Sequence, residues 1–310
     1  MINQYPIKKV KNIRVLLIGD IILDRYWFGN INRISPEAPV PIFKLNNLED
    51  RLGGAANVAK NLITLGSNVH LVGLIGKDDH GNKIKFLSLK FGIQNSLLQN
   101  RYISTIIKIR ILSGRQQILR IDFEKENIKK SSIYFQKKFI YSFYKYDILI
   151  LSDYSKGCLN NIKKIIYVAN KIDLPVIIDP KGLNYKYYYK STLIKPNKSE
   201  IYLNIGECFF EKEILYKSQI LKIYLNIKYI LITRSNQGMT LFTNEGFIHI
   251  NSYTRKISDV SGAGDTVLAM LAITYSSNMN LYNSIYWMNK AGTISIRKFG
   301  TYSVSFYELI

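Results

Sequence analysis

The sequence predicts an α/β fold: a mostly parallel sheet flanked by helices, with a small β-sheet lid. Three observations predict it. Short apolar runs such as Val15-Leu16-Leu17-Ile18 alternate with stretches of helical periodicity, the order that builds parallel strands with helices on their faces. Most of those runs end in small, polar or charged residues, which gathers such groups at the sheet edge where open parallel sheets hold ligands. Two extended runs, residues 105–112 and 117–123, are joined by Ser113-Gly114-Arg115-Gln116 and break that rhythm as a β-hairpin. With 310 residues, 47% of them hydrophobic, the chain can bury a full core. That length admits two domains, but no linker or internal repeat divides it, so one domain over residues 1–310 is expected.

In chain order, residues 15–18 read as a buried strand closed by Gly19-Asp20. Residues 39–48 are extended with imperfect alternation. Gly53-Gly54 opens a helix on which Ala55, Val58, Ala59, Leu62 and Leu65 share a face, and Gly66 stops it. Residues 69–74 form a strand, and Asp78 or Asp79 caps a helix running through Phe91. The lid comes from segments at about 33–50 and 103–123. A helix near residues 132–144 leads to a strand at 148–151. A helix at 162–172, apolar at 162, 165, 166, 169 and 172, leads to a strand at 176–178. Strands at 193–195 and 229–233 follow, and a helix rich in apolar residues begins near Asp265.

Composition excludes several classes. Cys158 and Cys208 make neither a disulfide framework nor a metal pair, which points to a reducing compartment. The apolar stretch at 15–23 is broken by Gly19 and Asp20, so it is no signal peptide, and no run reaches a membrane span of roughly 20 apolar residues. A cytoplasmic protein without a membrane partner is expected. The net charge of +21 invites a nucleic-acid partner, but the lysines are scattered and accompany an excess of Ile, Asn and Tyr. All are encoded by AT-rich codons, so base composition explains the charge, and the densest cluster, residues 125–138, reads as a solvated helix face. No nucleic acid is expected.

The chemistry concentrates in Asp259-Val260-Ser261-Gly262-Ala263-Gly264-Asp265-Thr266. Three small residues let a backbone turn approach a ligand, and the helix behind them aims free amides and its positive dipole end at it, a phosphate cradle. A carboxylate there is a poor neighbour for phosphate unless it works as the base that takes a proton from an attacking hydroxyl. An ordinary capped Gly-rich turn is the alternative for this motif alone. Polar runs recur at the same expected edge: Asp20 to Asp24, Gly53 to Asn57, Ser152-Asp153-Tyr154, Asp179-Pro180-Lys181-Gly182, Asn197-Lys198-Ser199-Glu200 and Thr233-Arg234-Ser235. No Gly-x-x-x-x-Gly-Lys-[Ser/Thr] motif exists, so this is not P-loop chemistry.

These motifs resemble those of the PfkB (ribokinase-like) sugar kinases, whose Gly-Ala-Gly-Asp signature matches Gly262-Ala263-Gly264-Asp265. Within that family the chain is most similar to the heptose 7-phosphate kinase domains of bacterial bifunctional heptose kinase/adenylyltransferases. The run Ser35-Pro36-Glu37-Ala38-Pro39-Val40-Pro41 carries this more specifically than the kinase signature does. The resemblance implies ATP and Mg²⁺, a heptose 7-phosphate substrate phosphorylated on its anomeric hydroxyl, and a place in ADP-heptose synthesis for lipopolysaccharide. It implies Asp265 as the base and the amides of Gly262, Ala263 and Gly264 as the anion hole. Asp24, Gly53, Gly54 and Asn57 match sugar-binding positions. Asn197, Lys198, Ser199 and Glu200 match the Asn-x-x-Glu element, with Glu200 organising Mg²⁺ through water. Thr233, Arg234 and Gly238 match ATP-binding positions, and Asp259 a monovalent-cation site suited to K⁺. The lid of related kinases also pairs subunits, so a homodimer is expected. Another PfkB sugar or nucleoside kinase, or a non-catalytic sugar- or nucleotide-binding protein, remains open.

Several positions depart from the pattern. Ser261 stands where Thr is usual, Leu52 where Pro is usual before the Gly pair, Lys195 where an uncharged residue is usual before Pro196, and Lys290 in a run of normally small residues beside the adenine position. The substrate phosphate needs basic partners, for which Arg33, Arg115, Lys156 and Lys181 are the candidates. His70, His80 and His249 are the only histidines, and no pair forms the His-x-Gly-His element of the adenylyltransferase domain. The chain is therefore expected to act as a kinase only.

Overall fold

A computed structural model of the chain describes residues 4–114, 116–124, 139–182, 184–253 and 258–310. Arg115 and most of the helix expected near residues 132–144 lie outside the described residues, as does the lysine-rich stretch 125–138; residues 143–145 form a 3-10 turn.

Period-2 alternation in the first strand decides the layering. β1 (Arg14–Gly19) sends Val15 and Leu17 into one core and Leu16 and Ile18 into the other, all essentially without solvent contact. Each such side chain contributes about 1.5–3 kcal/mol relative to an exposed one. Around β1 the sheet grows to nine strands in the order β13-β12-β11-β10-β9-β8-β1-β4-β5. β4 (Asn68–Gly76), β5 (Gln94–Asn100), β8 (Ile148–Ser152), β9 (Val176–Asp179), β10 (Leu193–Ile194) and β11 (Tyr229–Thr233) all run parallel to it. β12 (Met239–Phe242) and β13 (Phe247–Ile250) close one edge antiparallel.

A short helix α1 (Ile7–Val10) opens the chain. The first core lies under α2 (Ala55–Thr64), α3 (Asp79–Lys90) and two later helices, here α7 (Ala263–Ser276) and α8 (Leu281–Ile296). The second lies under α4 (Ile162–Lys171), α5 (Lys198–Ile205) and α6 (Glu211–Tyr224). Asp78 caps α3 by accepting from the Gly81 amide, and Gly66 follows α2 at a φ of +98°, a left-handed stop.

The chain leaves the large sheet at Asp20. β2 (Ile21–Ile34) then becomes an inner strand of a second, four-stranded sheet ordered β3-β2-β6-β7. β3 (Pro41–Gly54) and β6 (Ile106–Ser113) flank β2, and β7 (Gln116–Phe123) returns antiparallel as the expected hairpin partner of β6. This is the lid. Among the described residues no helix is long and apolar enough to cross a membrane, and Cys158 and Cys208 are in no disulfide.

Candidate active site

The parallel register aligns the strand ends that carry the chemistry. Gly19 pairs with Ser152 and Ser152 with Asp179, while Asn197 bridges to Thr233. α7 points its first turn at this edge. Gly262 precedes it at a φ of +78°, a left-handed conformation that glycine adopts without strain, and the first amides of a helix lack partners within it.

Asp265 lies in that first turn, 7% exposed. Asn57 Nδ2 donates to its Oδ2 at 2.6 Å, and the Tyr154 hydroxyl donates to Oδ1 at 3.0 Å. Burial pushes the carboxyl up to about 7; Asp179 adds to the rise, while the Asn57 and Tyr154 hydrogen bonds and the Lys195 charge oppose it. A base poised near neutrality can take a proton from a hydroxyl at working pH. Asn57 is completely buried and its Oδ1 meets no donor among the described residues, an unsatisfied acceptor next to Asp265.

Asp20 holds Tyr154 in place. It is almost wholly buried and accepts from three amides of the loop after β8: Tyr154 at 2.8 Å, Lys156 at 3.0 Å and Cys158 at 3.0 Å. Gly19 must be glycine, because a Cβ there would come 2.4 Å from the Ser152 carbonyl oxygen. Gly53 is equally confined: its Cβ would meet Asp24 Oδ2 at 2.5 Å, so the lid and the start of α2 close directly on that carboxylate. Asp24 in turn is ion-paired to Arg110 of β6 at 2.6 Å. Gly54 turns the chain into α2 at a φ of +57°.

A cleft of about 490 Å³ opens beside Asp265, lined among others by Asp179, Asn197, Glu200, Thr233, Gly238 and the Gly262–Asp265 turn named above. Asn197 and Glu200 form a reciprocal cap on α5: Asn197 Oδ1 accepts from the Glu200 amide at 2.8 Å and Glu200 Oε2 from the Asn197 amide at 2.9 Å. Glu200 Oε1 also meets Lys181 Nζ at 2.9 Å. Lys198 and Ser199 line the same wall. Gly238, at a φ of +85°, leaves no room for a side chain against the backbone of 250–252. Among the described residues no three His, Cys, Asp or Glu side chains cluster as a metal cage. The oxygen donors present instead fit a hard cation that keeps its waters and leans on phosphates, with Glu200 and Asn197 placed to hold it.

The geometry departs from the sequence expectations at several positions. Arg234 turns away from the cleft: its guanidinium grips both Glu211 oxygens of α6 and the side chain is buried. Lys290 does not crowd the cleft; its ammonium donates to the Leu309 carbonyl and lies over the Trp287 ring. Asp259 spends both carboxylate oxygens on backbone amides, Ser261 at 2.8 Å and Gly300 at 3.0 Å, and so shapes the loop into α7. Lys195 enters the site: it is 3% exposed, pairs with Asp179 at 2.9 Å, and its Nζ would lie 3.5 Å from a Cβ on Gly264. Attraction to Asp179 raises its pKa above the ordinary lysine value. Sequence reasoning placed Tyr154 and Asp179 at strand ends without a role; only the fold shows that one touches Asp265 and the other anchors a buried cation beside the Gly262–Gly264 turn.

A model of the pfkB family of carbohydrate kinases matches residues 12–306. The chain belongs to that family. It is an ATP-dependent sugar kinase, and its family implies ATP and a divalent metal. It is 42% identical over 307 residues to the D-beta-D-heptose 7-phosphate kinase of Bordetella bronchiseptica, covering 99% of this chain and 98% of that protein. It is also 42% identical over 300 residues to the bifunctional protein HldE of Pasteurella multocida, spanning 96% of this chain but 63% of that longer protein. In fold it is similar to Escherichia coli phosphofructokinase-2 crystallised with potassium, with a TM-score of 0.80, 16% identity and 96% of each chain covered.

Proposed function

We propose that this kinase transfers the γ-phosphoryl group of ATP to the anomeric hydroxyl of D-glycero-β-D-manno-heptose 7-phosphate, giving the 1,7-bisphosphate on the way to ADP-heptose for lipopolysaccharide. The observation that carries phosphoryl transfer is Asp265, buried in the first turn of α7 and held by Asn57 and Tyr154 at the edge of the cleft. The choice of sugar is supported by 42% identity over nearly the whole chain to a kinase named for that substrate.

Asp265 takes the proton of the anomeric hydroxyl as its oxygen bonds to the γ-phosphorus. The bond from that phosphorus to the β–γ bridging oxygen breaks and ADP leaves. The amides of Gly262, Ala263 and Gly264, with the Lys195 ammonium beside them, meet the charge on the transferring group. Asp24, Gly53, Gly54 and Asn57 hold the sugar, Asn57 orienting Asp265 as well. Asn197, Lys198, Ser199, Thr233 and Gly238 border the nucleotide, and Arg234 supports that wall through Glu211. Mg²⁺, when bound, would neutralise phosphate charge, and Glu200 would be the residue to hold it through water. Asp259 shapes a loop suited to K⁺, which accompanies the structurally similar phosphofructokinase-2. In this reading the enzyme works in the cytoplasm, where ATP is supplied.

The lid also serves a homodimer in this reading. Ile34, Val40, Leu45, Leu48, Leu119 and Phe123 of the lid all remain exposed, an apolar surface suited to a second lid. Sedimentation of a Leu119→Glu/Phe123→Glu variant should show monomer where the native chain is a dimer; two monomeric samples would remove that part. The function itself is tested with purified protein, ATP, Mg²⁺ and a panel of heptose 7-phosphate, fructose 6-phosphate and ribose. Heptose 7-phosphate should have the highest kcat/KM, and preference for another sugar would overturn the assignment.

A further inference from the structure

The inner face of the lid carries its charges in matched pairs, with one exception. Neighbouring strands place Glu49 and Arg51 of β3, Asp24 of β2, Lys108 and Arg110 of β6, and Arg120 and Asp122 of β7 on one face, because directly paired residues share a side. That face looks toward the large domain: the Thr301 amide donates to Tyr26, and Arg51 donates to the Phe299 carbonyl. Each arginine has its carboxylate: Arg51 with Glu49 at 2.7 Å, Arg110 with Asp24 at 2.6 Å, Arg120 with Asp122 at 2.9 Å. Lys108 has no such ion pair among the described residues, although it is half-buried between Asp24 and Asp122. Burial lowers its pKa, with Arg120 and Arg110 adding to the fall and Asp122 and Asp24 opposing it. A partly desolvated cation without an anion of its own costs stability, and such costs persist where a ligand supplies the anion.

Its position says which part of the ligand. Lys108 Nζ lies 5.9 Å from the centre of the Tyr154 ring, and the hydroxyl of that ring donates to Asp265. The ammonium thus lies beside the same tyrosine whose hydroxyl touches Asp265, within reach of a six- or seven-carbon sugar that has its reacting hydroxyl at one end and a phosphate at the other. Of the basic candidates seen in the sequence, Arg115 lies outside the described residues, Lys156 pairs with Glu124, Lys181 pairs with Glu200 on the nucleotide wall, and Arg33 is exposed near the far end of β2.

We propose that Lys108 forms the subsite for a phosphate monoester on the sugar substrate, selecting phosphorylated over unphosphorylated acceptors from the lid. This rests on the reading of the site as a sugar-phosphate kinase. The test is steady-state kinetics of the native enzyme, Lys108→Met and Lys108→Arg with heptose 7-phosphate and with the same heptose unphosphorylated. Lys108→Met should lose about 10²-fold in kcat/KM for the phosphorylated sugar, mainly through KM, as expected for truncating one partner of a close charge pair. It should leave the unphosphorylated sugar within about twofold, and Lys108→Arg should recover most of the loss. An unchanged KM for the phosphorylated sugar in Lys108→Met overturns the proposal. If the native enzyme prefers another sugar phosphate, the heptose assignment fails while the same comparison, run on that sugar with and without its phosphate, still decides Lys108. If the native enzyme does not discriminate within any such pair, the subsite is overturned whatever the sugar. Should Lys108→Met melt early, Lys108→Gln replaces it and inorganic phosphate is the probe: competition against the sugar phosphate with the native enzyme but not with Lys108→Gln supports the subsite, and equal competition with both, or none with the native enzyme, overturns it.

Discussion

Strand β8 of the large sheet is buried at every residue from Ile148 to Ser152, whereas in lid strand β7 all but Ile121 of Gln116–Phe123 are exposed. β8 ends at the cleft, whereas β7 is an edge strand of the lid. The first ends in the loop that Asp20 ties down with three hydrogen bonds, so Tyr154 and through it Asp265 are set before any ligand arrives. The second belongs to a sheet whose inner face is charged and whose apolar residues are partly uncovered. In the mechanism proposed above, rigid backbone would carry the bond-making groups and a lightly held sheet would carry recognition. Changes on the large-sheet side should therefore strike turnover, and changes in the lid should strike substrate affinity.

The largest effect expected from this contrast is at Asp265. Asp265→Asn keeps the shape of the group but cannot accept a proton, so kcat should fall about 10²–10⁴-fold. Calorimetry should show ATP and sugar binding little changed; native-like turnover would remove Asp265 as the base. Next comes the pH profile. With the carboxyl pushed up to about 7 by burial, kcat/KM should fall with decreasing pH below about 7. Tyr154→Phe removes a donor that holds that value down, so its acid limb should move to higher pH; an unmoved limb would uncouple the loop from the base. Smaller again is Glu200→Gln, which should raise the Mg²⁺ concentration for half-maximal rate several-fold at unchanged ATP binding. A superimposable Mg²⁺ titration would take Glu200 out of that role.

The smallest is thermodynamic. The folded Asp265 holds its proton up to about pH 7, against an ordinary value of 3.8. Between those limits the native state binds a proton that the unfolded chain has released, so the contribution of this group to stability declines as pH rises from about 4 to 7 and stays low above. Asp265→Asn should accordingly melt higher than the native protein at pH 8 and equal to it below pH 4. Equal melting at both would mean the carboxylate is not strained by burial.

The same contrast governs how much was legible in the sequence. Central strands are apolar runs, and β1, β4, β8, β9 and β11 fall where those runs are. β5, written Gln-Asn-Ser-Leu-Leu-Gln-Asn, has no such signal because it is an edge strand with one buried position, Leu97. β2 is masked by charge: Asp24 and Arg25, on opposite faces, are each ion-paired and Asn30 is exposed, so together they interrupt its apolar pattern. α5 and α6 escaped for a related reason, few of their residues being buried, and the antiparallel pair β12 and β13 and helix α8 also went unassigned. In the site, Gly262, Gly264 and Asp265 were legible as a motif because backbone chemistry demands those residues at that spacing. Lys108 was not, since nothing local distinguishes it from 42 other basic residues until strand pairing shows which of its neighbours already have partners.

Tyr154 has a consequence for economy as well as for geometry. Its hydroxyl and the Asn57 amide together give each oxygen of Asp265 a donor before any acceptor enters. In the mechanism proposed above, a stray water reaching the cleft would have to compete with two fixed donors to be activated, so the hydrogen bonds that aim the base would also guard ATP against futile hydrolysis in the resting enzyme.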